Sequence, residues 1–304
     1  MIYLNNKIDL NKDANNEKIT TYMEMEQTKK TKQTKGVNRN TIDKYYTKNT
    51  VVDSCVELVK KYIQINSSEL IIEPSAGNGS FISAIKGLTN NHLFYDLEPE
   101  NEEIVKQDYL QFNHTDVKNK FERIHIIGNP PFGRQSSLAI KFIKKSCDFC
   151  SSISFILPKS FKKDSLKKTF PLNFHLIYET DLPNKSFLVN GSEHNVPCIF
   201  QIWEKKTHNR DTIEKLEPIH FKFVKKDESP DISFIRVGGK AGTVDKNTED
   251  KGLQAHYFIK FTNKNANVDE NIKKLSTITY EFNNTVGPRS ISKQELIKEF
   301  NKVL

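Results

Sequence analysis

Between residues 49 and 206 the hydrophobic pattern keeps switching between two periods, and that switching limits the folds open to the chain. In "NTVVDSCVELVKKYI", Val52, Cys55, Val56, Val59 and Ile63 recur three and four apart, the spacing of one helix face. Thr50 with Asp53 resembles a capping box for this helix, with Asp in place of the usual Glu. "ELIIEPSAGNGSF" then reads as a short apolar strand entering a glycine loop, and "FISAIKGL" as a helix. "HLFYDLEPE", "IVKQDYLQF" and "RIHIIGNPPFG" read as strands, "SSLAIKFIKKSCDFC" as a helix, and "SISFILPKSF", "FHLIYETDLP" and "VPCIFQIWEK" as further strands. Apolar strands that alternate with helices predict an α/β fold, with a mostly parallel sheet covered by helices on both faces.

Composition divides the rest of the chain. Residues 1–40 are polar and lysine-rich, with "TKKTKQTKGVNR" and no apolar period, and read as a disordered basic tail. Such a tail either holds nucleic acid loosely or acts as a solubilising leader. Residues 41–206 make the α/β domain, and "KKTHNRDTIEKLEP" at 205–218 reads as a linker. Residues 207–304 form a smaller α+β region, with strand-like "HFKFV", "SFIRV" and "AHYFIKF". Its final helix, "SKQELIKEFNKVL", has Ser292 as N-cap and Glu295 as box partner.

Lys and Arg number 46 against 38 Asp and Glu, a formal net charge of +8. That balance favours a polyanionic partner such as nucleic acid, unless it reflects a lysine bias of the source genome, which the abundant asparagine also fits. No window approaches the roughly 18 apolar residues of a membrane span. "MIYLNNKIDLNKD" is too polar for a signal core. A soluble intracellular protein, cytoplasmic or nuclear, is expected. Cys147 and Cys150 form one C-x-x-C in an apolar helical stretch with no second pair, which reads as packing, and no metal is expected.

Gly77 and Gly79 in "EPSAGNGSF" allow a sharp turn and close approach of a ligand at a strand's carboxyl end. The loop lacks the G-K-S/T of a phosphate loop, and Glu73 at the strand end would repel phosphate. A cationic ligand or an amino group suits it better. Asp96 ends the next strand, 23 residues after Glu73, at the place of a ribose-hydroxyl reader. Asp108 stands at the tip of a third element, where a carboxylate accepts from an adenine amino group. Together these acids argue for an adenosine ligand without phosphate. In "IIGNPPFGRQ", the paired prolines must end the strand, because proline donates nothing to a sheet.

"EPSAGNGSF", "YDLEP", "QDYL" and "GNPPFG", in this order, resemble the S-adenosylmethionine-dependent amino-methyltransferases. "NPPF" is similar to the signature of enzymes that methylate the exocyclic N6 amine of adenine, and the arrangement resembles DNA adenine methyltransferases. "YYTKNTVVD" resembles the family's amino-terminal cofactor motif. The resemblance spans roughly residues 43–206 and implies a Rossmann-like class I methyltransferase domain that takes S-adenosyl-L-methionine. It implies that Glu73, Pro74, Ala76, Gly77 and Gly79 line the methionine end, with Thr47 in contact with it. It implies that Asp96 holds the ribose, that Leu97 packs on the adenine and that Asp108 holds its amino group. Asn129 and the Pro130 carbonyl would accept from the target amine, while Pro131 stiffens the corner and Phe132 stacks on the target ring.

DNA is the favoured substrate. The same chemistry on RNA is the alternative, followed by protein-glutamine methylation and a non-catalytic binding module. The basic tail and extra carboxyl-terminal region argue against a peptide substrate, and the intact Asn129, prolines and glycines argue against decay. Arg134, Lys159, Lys162 and Lys163 are candidate phosphate contacts, against ordinary solvation. "DLPNKSFLVNGSEHNVPCIF" resembles a hairpin lining the target pocket, with Phe187 as a second stacking residue. "FIRVGGKAGTV" is either a phosphate-contacting loop, through Arg236 or Lys240, or a plain hairpin turn. Arg289 precedes a helix start where an anion could sit.

Overall fold

The computed structural model describes residues 45–212, 214–263, 267–280 and 288–304; the segment read as a basic tail lies outside them. A two-residue strand, β1 (Tyr46–Thr47), precedes helix α1 (Asn49–Tyr62). The apolar runs then become β2 (Leu70–Glu73), helix α2 (Ile82–Lys86), β3 (Asn91–Asp96), β4 (Val105–Lys106), helix α3 (Thr115–Lys120) and β5 (Ile124–Gly128). Helix α4 (Ser137–Cys147), β6 (Ser152–Pro158), the short α5 (Asp164–Lys167) and β7 (Phe174–Asp181) follow. A hairpin of β8 (Phe187–Val189) and β9 (Ser192–His194) leads to β10 (Cys198–Lys205).

Seven of these strands form one sheet in the order β4-β3-β2-β5-β6-β10-β7. Neighbours from β4 through β6 are parallel. Only β10 is reversed in this sheet, antiparallel to both β6 and β7. The chain leaves β2 towards β3 and β4, then returns to β5 on the other side. That reversal makes the crevice beyond the carboxyl ends of β2 and β5 the topological switch point of a Rossmann-like sheet, where such folds bind ligands.

Alternate residues of each strand enter opposite cores, because side chains along a strand alternate between faces. Leu70, Ile72, Ile126, Phe155 and Leu157 pack with Ala139, Phe142 and Ile143 of α4. Ile71, Ile127, Ile156, Phe200 and Ile202 pack with Val52, Val56 and Val59 of α1 and Ile85 of α2. Each such fully buried aliphatic side chain contributes about 1.5–3 kcal/mol. Cys147 and Cys150 are both buried, as their packing role requires, and burial pushes the Cys147 thiol up to about 12.

Two local expectations are corrected. Thr50 and Asp53 do not cap α1: Lys48 is the N-cap, without a side-chain bond, and its carbonyl accepts from Val51 and Val52. The chain enters α1 from β1, whose pairing with β8 already sets the approach. The stretch 205–218 is also no free linker. Arg210 lies over the Trp203 ring and donates to the carbonyls of Lys167, Phe170, Pro171 and Phe174.

The last part of the chain builds a separate antiparallel sheet, ordered β11-β14-β12-β13. Its strands are β11 (Phe221–Val224), β12 (Ile232–Ile235), β13 (Val244–Asp245) and β14 (His256–Phe261), followed by α6 (Val268–Ser276) and α7 (Lys293–Val303). Phe221, Phe234 and Ile259 pack on Leu296, Ile297 and Phe300 of α7 in a core of their own. The Ser292–Glu295 capping box is formed at the start of α7. Among the described residues no helix is long and apolar enough to cross a membrane.

Candidate active site

The loop after β2 is shaped by its glycines. Gly77 and Gly79 have φ of +55° and +86°, a region that L side chains rarely adopt. A Cβ on Gly77 would stand 3.3 Å from the Tyr46 ring, so the loop also needs the missing side chain for close packing. Gly77 N donates to Asp96 Oδ2 at 2.8 Å and Glu98 N to Oδ1 at 2.9 Å, which points the Asp96 carboxylate back at the loop. Ala76 N bonds the Tyr95 carbonyl, tying the loop to the end of β3. Leu97, the next residue, is exposed at this tip. Asp108 accepts from Leu110 N at 2.9 Å and caps the short turn Tyr109–Gln111. Gln107 N donates to the Asp96 carbonyl, so the tips of β3 and β4 are joined.

Glu73 and Asn129 face the switch point from its two sides. Glu73 is buried, and its Oε2 has no hydrogen-bond partner among the described residues. Burial first, then the nearby Asp96, push its carboxyl well above the usual range. A Cβ on Gly128 would lie 3.1 Å from Glu73 Cγ, so glycine at the end of β5 lets the two strand tips meet. Asn129 Nδ2 donates to Thr47 Oγ1 at 3.3 Å and weakly to the Tyr45 carbonyl at 3.4 Å. Its Oδ1 is buried without a partner among the described residues. The Asn129 carbonyl accepts from Ser75 Oγ at 3.2 Å, which links it to the residue after Pro74. Pro130 is buried, Pro131 exposed and Phe132 half-buried. The Phe132 carbonyl accepts from Leu138 and Ala139 of α4. Between them Gln135 and Ser136 hold positive φ of 53° and 62°, local strain beside the site.

The structure thus brings Thr47, Glu73, Ala76, Gly77, Asp96 and Asn129 to one end of the sheet, with Asp108 joined through Gln107. The buried acceptors and tight loop fit a ligand with amino and hydroxyl donors, as S-adenosylmethionine has. Several residues here sit inside the quoted motifs but have roles that the motifs do not reveal. Tyr46 meets Gly77 and donates to Glu100. Ser75 and Tyr45 show their roles only through contacts far apart in sequence.

Other candidates are placed differently. β8 pairs with both β9 and β1, so the expected hairpin exists and also carries the amino-terminal motif. Phe187, however, is buried against Cys198 and Phe200 and cannot stack on a target base as it stands. Its partner in register is Thr47, and this pairing turns its ring into the core. Lys159 and Lys162 both pair with Asp181, and Lys163 pairs with Glu295, so these cations already hold carboxylates. Arg134 is exposed in the turn before α4. The segment around Gly238 connects the paired strands β12 and β13, so it is a hairpin connection, and it carries Arg236 and Lys240. Among the described residues no group of three His, Cys, Asp or Glu side chains is arranged to hold a metal.

Residues 84–209 match the EDM2 methyltransferase-like domain. The match runs from within α2 to just past β10 and contains Asn129, Pro130, Pro131 and Phe132. A search of the curated proteins finds no match. Among solved structures, the chain is similar to a Pyrococcus horikoshii protein described as an RNA methyltransferase: 13% identity, 62% of this chain, 99% of that one, TM-score 0.42. It is similar to a modification subunit described for a type I restriction enzyme of Vibrio vulnificus: 15% identity, 62% of this chain, TM-score 0.42. The chain spans about half of that subunit, 48%. A Listeria monocytogenes protein described as a class I S-adenosylmethionine-dependent methyltransferase aligns at 16% identity over 69% of this chain and 74% of its own, TM-score 0.40. At such values the likeness assigns no residue and no substrate.

Proposed function

We propose that this chain transfers a methyl group from S-adenosylmethionine to the exocyclic N6 amine of adenine in DNA, on a base flipped out or presented single-stranded. The observation that carries this reading is the Asn129 carboxamide. Its nitrogen is committed to Thr47 and Tyr45, while its oxygen is buried, unpartnered and set at the switch point. A buried acceptor with no partner costs about 1–3 kcal/mol unless a ligand supplies the donor. An amino group does so. The methyltransferase-like match over residues 84–209 supports methyl transfer as the reaction class.

S-adenosylmethionine supplies an electrophilic methyl on a sulfonium, whose leaving tendency provides much of the drive. The chain's residues hold, orient and polarise. Glu73, Pro74, Ala76, Gly77 and Gly79 line the methionine end, with Thr47 beside it. Asp96 accepts from ribose hydroxyls, Leu97 covers the adenine face, and Asp108 accepts from the adenine amine. At the target, Asn129 Oδ1 and the Pro130 carbonyl grip the two amine hydrogens. That grip draws the nitrogen towards tetrahedral geometry and frees a lone pair otherwise delocalised into the ring. Positive charge grows on the amine as the bond forms, these fixed acceptors stabilise it without reorganising, and the amine's surplus proton leaves to solvent once the methyl is in place. The prolines restrict the backbone and add no N–H that would compete. Phe132 holds the target ring, and its face favours the developing charge by about 0.5–2 kcal/mol.

The test is to incubate the protein with methyl-labelled S-adenosylmethionine and unmethylated DNA or RNA, then digest and identify the labelled nucleoside. N6-methyl-deoxyadenosine is the expected product. Label in RNA adenosine alone would replace DNA by RNA, and label in protein alone would overturn both.

A further inference from the structure

The carboxyl-terminal sheet carries a cluster of side chains that the proposed reaction does not use. Arg236 follows β12 and Arg289 precedes α7, and the Val237–Ser290 bridge holds their backbones together. Gly238 N donates to the Arg289 carbonyl at 2.9 Å, and Ile291 N to the Arg236 carbonyl at 2.8 Å. Arg236 lies over the Tyr257 ring, and Arg289 donates to the Tyr280 carbonyl. Neither guanidinium meets a carboxylate among the described residues. The Nε–H of each is buried without a partner, and so is the Tyr280 hydroxyl. The neighbouring carboxylate, Glu295, is engaged by Ser292 N at 2.7 Å and Lys163 Nζ at 3.4 Å. Beside the two arginines the turn is open: a Cβ on Gly238 or Gly239 would meet nothing within 4 Å, and Lys240 is exposed.

Both arginines are half-buried, so part of each side chain still reaches the surface, and a phosphate oxygen is a good match for a planar guanidinium fork that has no carboxylate among the described residues. The location also fits. Lys163 follows the turn at the end of β6, the end of the sheet where Asn129 lies, and its Nζ donates to the Ser290 carbonyl at 2.7 Å. The residue next to Arg289 is therefore tied to the reactive end of the catalytic sheet.

We propose that Arg236 and Arg289, with the open Gly238–Gly239 turn and Lys240, bind the phosphodiester backbone of the polynucleotide whose base enters the Asn129 pocket. The site rests on the reading of the substrate as nucleic acid. DNA and RNA share this chemistry. The site holds the strand without reading its sequence, as backbone contacts do.

The experiment uses the full chain and labelled DNA, RNA and uncharged peptide nucleic acid of one sequence, with anisotropy measured over a range of salt. Arg236→Gln and Arg289→Gln are each expected to weaken DNA or RNA binding about 3- to 10-fold, whatever the sequence. Each should lower the slope of log affinity against log salt by roughly 0.7–0.9. Binding of the uncharged analogue should not change, and Arg236→Lys should recover part of the slope. If an arginine variant fails to fold, Lys240→Gln in the exposed turn is expected to give the same sign of change. Folded variants with wild-type affinity and slope would overturn the site. Slope loss with no methyl transfer to either polymer would overturn the proposed reaction and leave the site standing. Transfer with an unchanged slope would do the reverse. The polymer with the larger slope loss identifies the source of the phosphate.

Discussion

Asn129 shows how a single amide acquires a direction. Its Nδ2 faces the Tyr45 carbonyl, an acceptor only, so turning the amide over would set two oxygens against each other. Oδ1 is left pointing where a donor must arrive. Asn129→Ala is expected to lower methyl transfer at least about 100-fold, the scale of losing one fixed stabilising group, while calorimetry shows cofactor affinity little changed. Collapse of cofactor binding would move Asn129 to the cofactor side. Glu73 gives a second prediction. Its folded-state pKa lies above the ordinary 4.5, so the stability it contributes is complete below pH 4.5 and fades as pH rises through the raised value. The ligand-free protein should therefore melt at falling temperatures as pH climbs through that window. Glu73→Gln should flatten this trend and melt higher than wild type at neutral pH, with weaker cofactor binding. Parallel melting curves for both proteins would show that burial does not penalise the Glu73 charge.

At the scale of elements, pattern and contact contribute differently. Most strand and helix runs of residues 49–206 were legible because burial on one or both faces imposes a period on the sequence. "IVKQDYLQF", which reads as one strand, is instead the two-residue β4 and the helical turn Tyr109–Gln111, since Val105 and Lys106 are exposed and Asp108 caps the turn. Strand β1 was not legible, since two residues carry no period, and its partner β8 lies far along the chain. Helix α3 was also missed, as it has no buried residue to mark a face. The misread cap of α1 has the same cause: Thr50 and Asp53 have the right spacing, but the N-cap is Lys48, two residues before Thr50, directly after β1. Arg210 shows a polar stretch tied down by one side chain. Arg210→Ala removes its bonds to four carbonyls and its contact with Trp203. Losing charged hydrogen bonds of this kind costs about 1.5–3 kcal/mol. The variant should melt lower and be cut by protease near residues 205–218 faster than wild type. Equal cleavage rates would mean the anchor does not hold the segment.

For the whole molecule, the described structure has a seven-stranded α/β sheet, a small three-stranded sheet of β1, β8 and β9, and a four-stranded antiparallel sheet, the first and last joined in part by Lys163. Its Nζ bonds the Ser290 carbonyl and pairs with Glu295. Lys163→Ala should speed amide exchange around residues 289–292, because opening there would no longer break these bonds. Methylation of a polynucleotide should fall while cofactor affinity stays the same. Unchanged exchange would assign the joining of the two sheets to other contacts. Charge alone makes the lysines after β6 candidate phosphate contacts, set against ordinary solvation. Their carboxylate partners, Asp181 and Glu295, stand apart in sequence and had no way of showing themselves there.

Local period, backbone freedom and proline geometry were enough to read the α/β class, the turns at Gly77 and Gly79 and the stiff corner at Asn129–Phe132 from the residues alone. Which groups meet was settled by the folded arrangement. It set Glu73 against Gly128, aimed the Asn129 amide through Thr47 and Tyr45, turned Phe187 into the core and left two guanidiniums without a carboxylate among the described residues. The reason is physical: a hydrogen bond, a close approach or an unpaired charge depends on two partners, and strand order alone brings distant partners together.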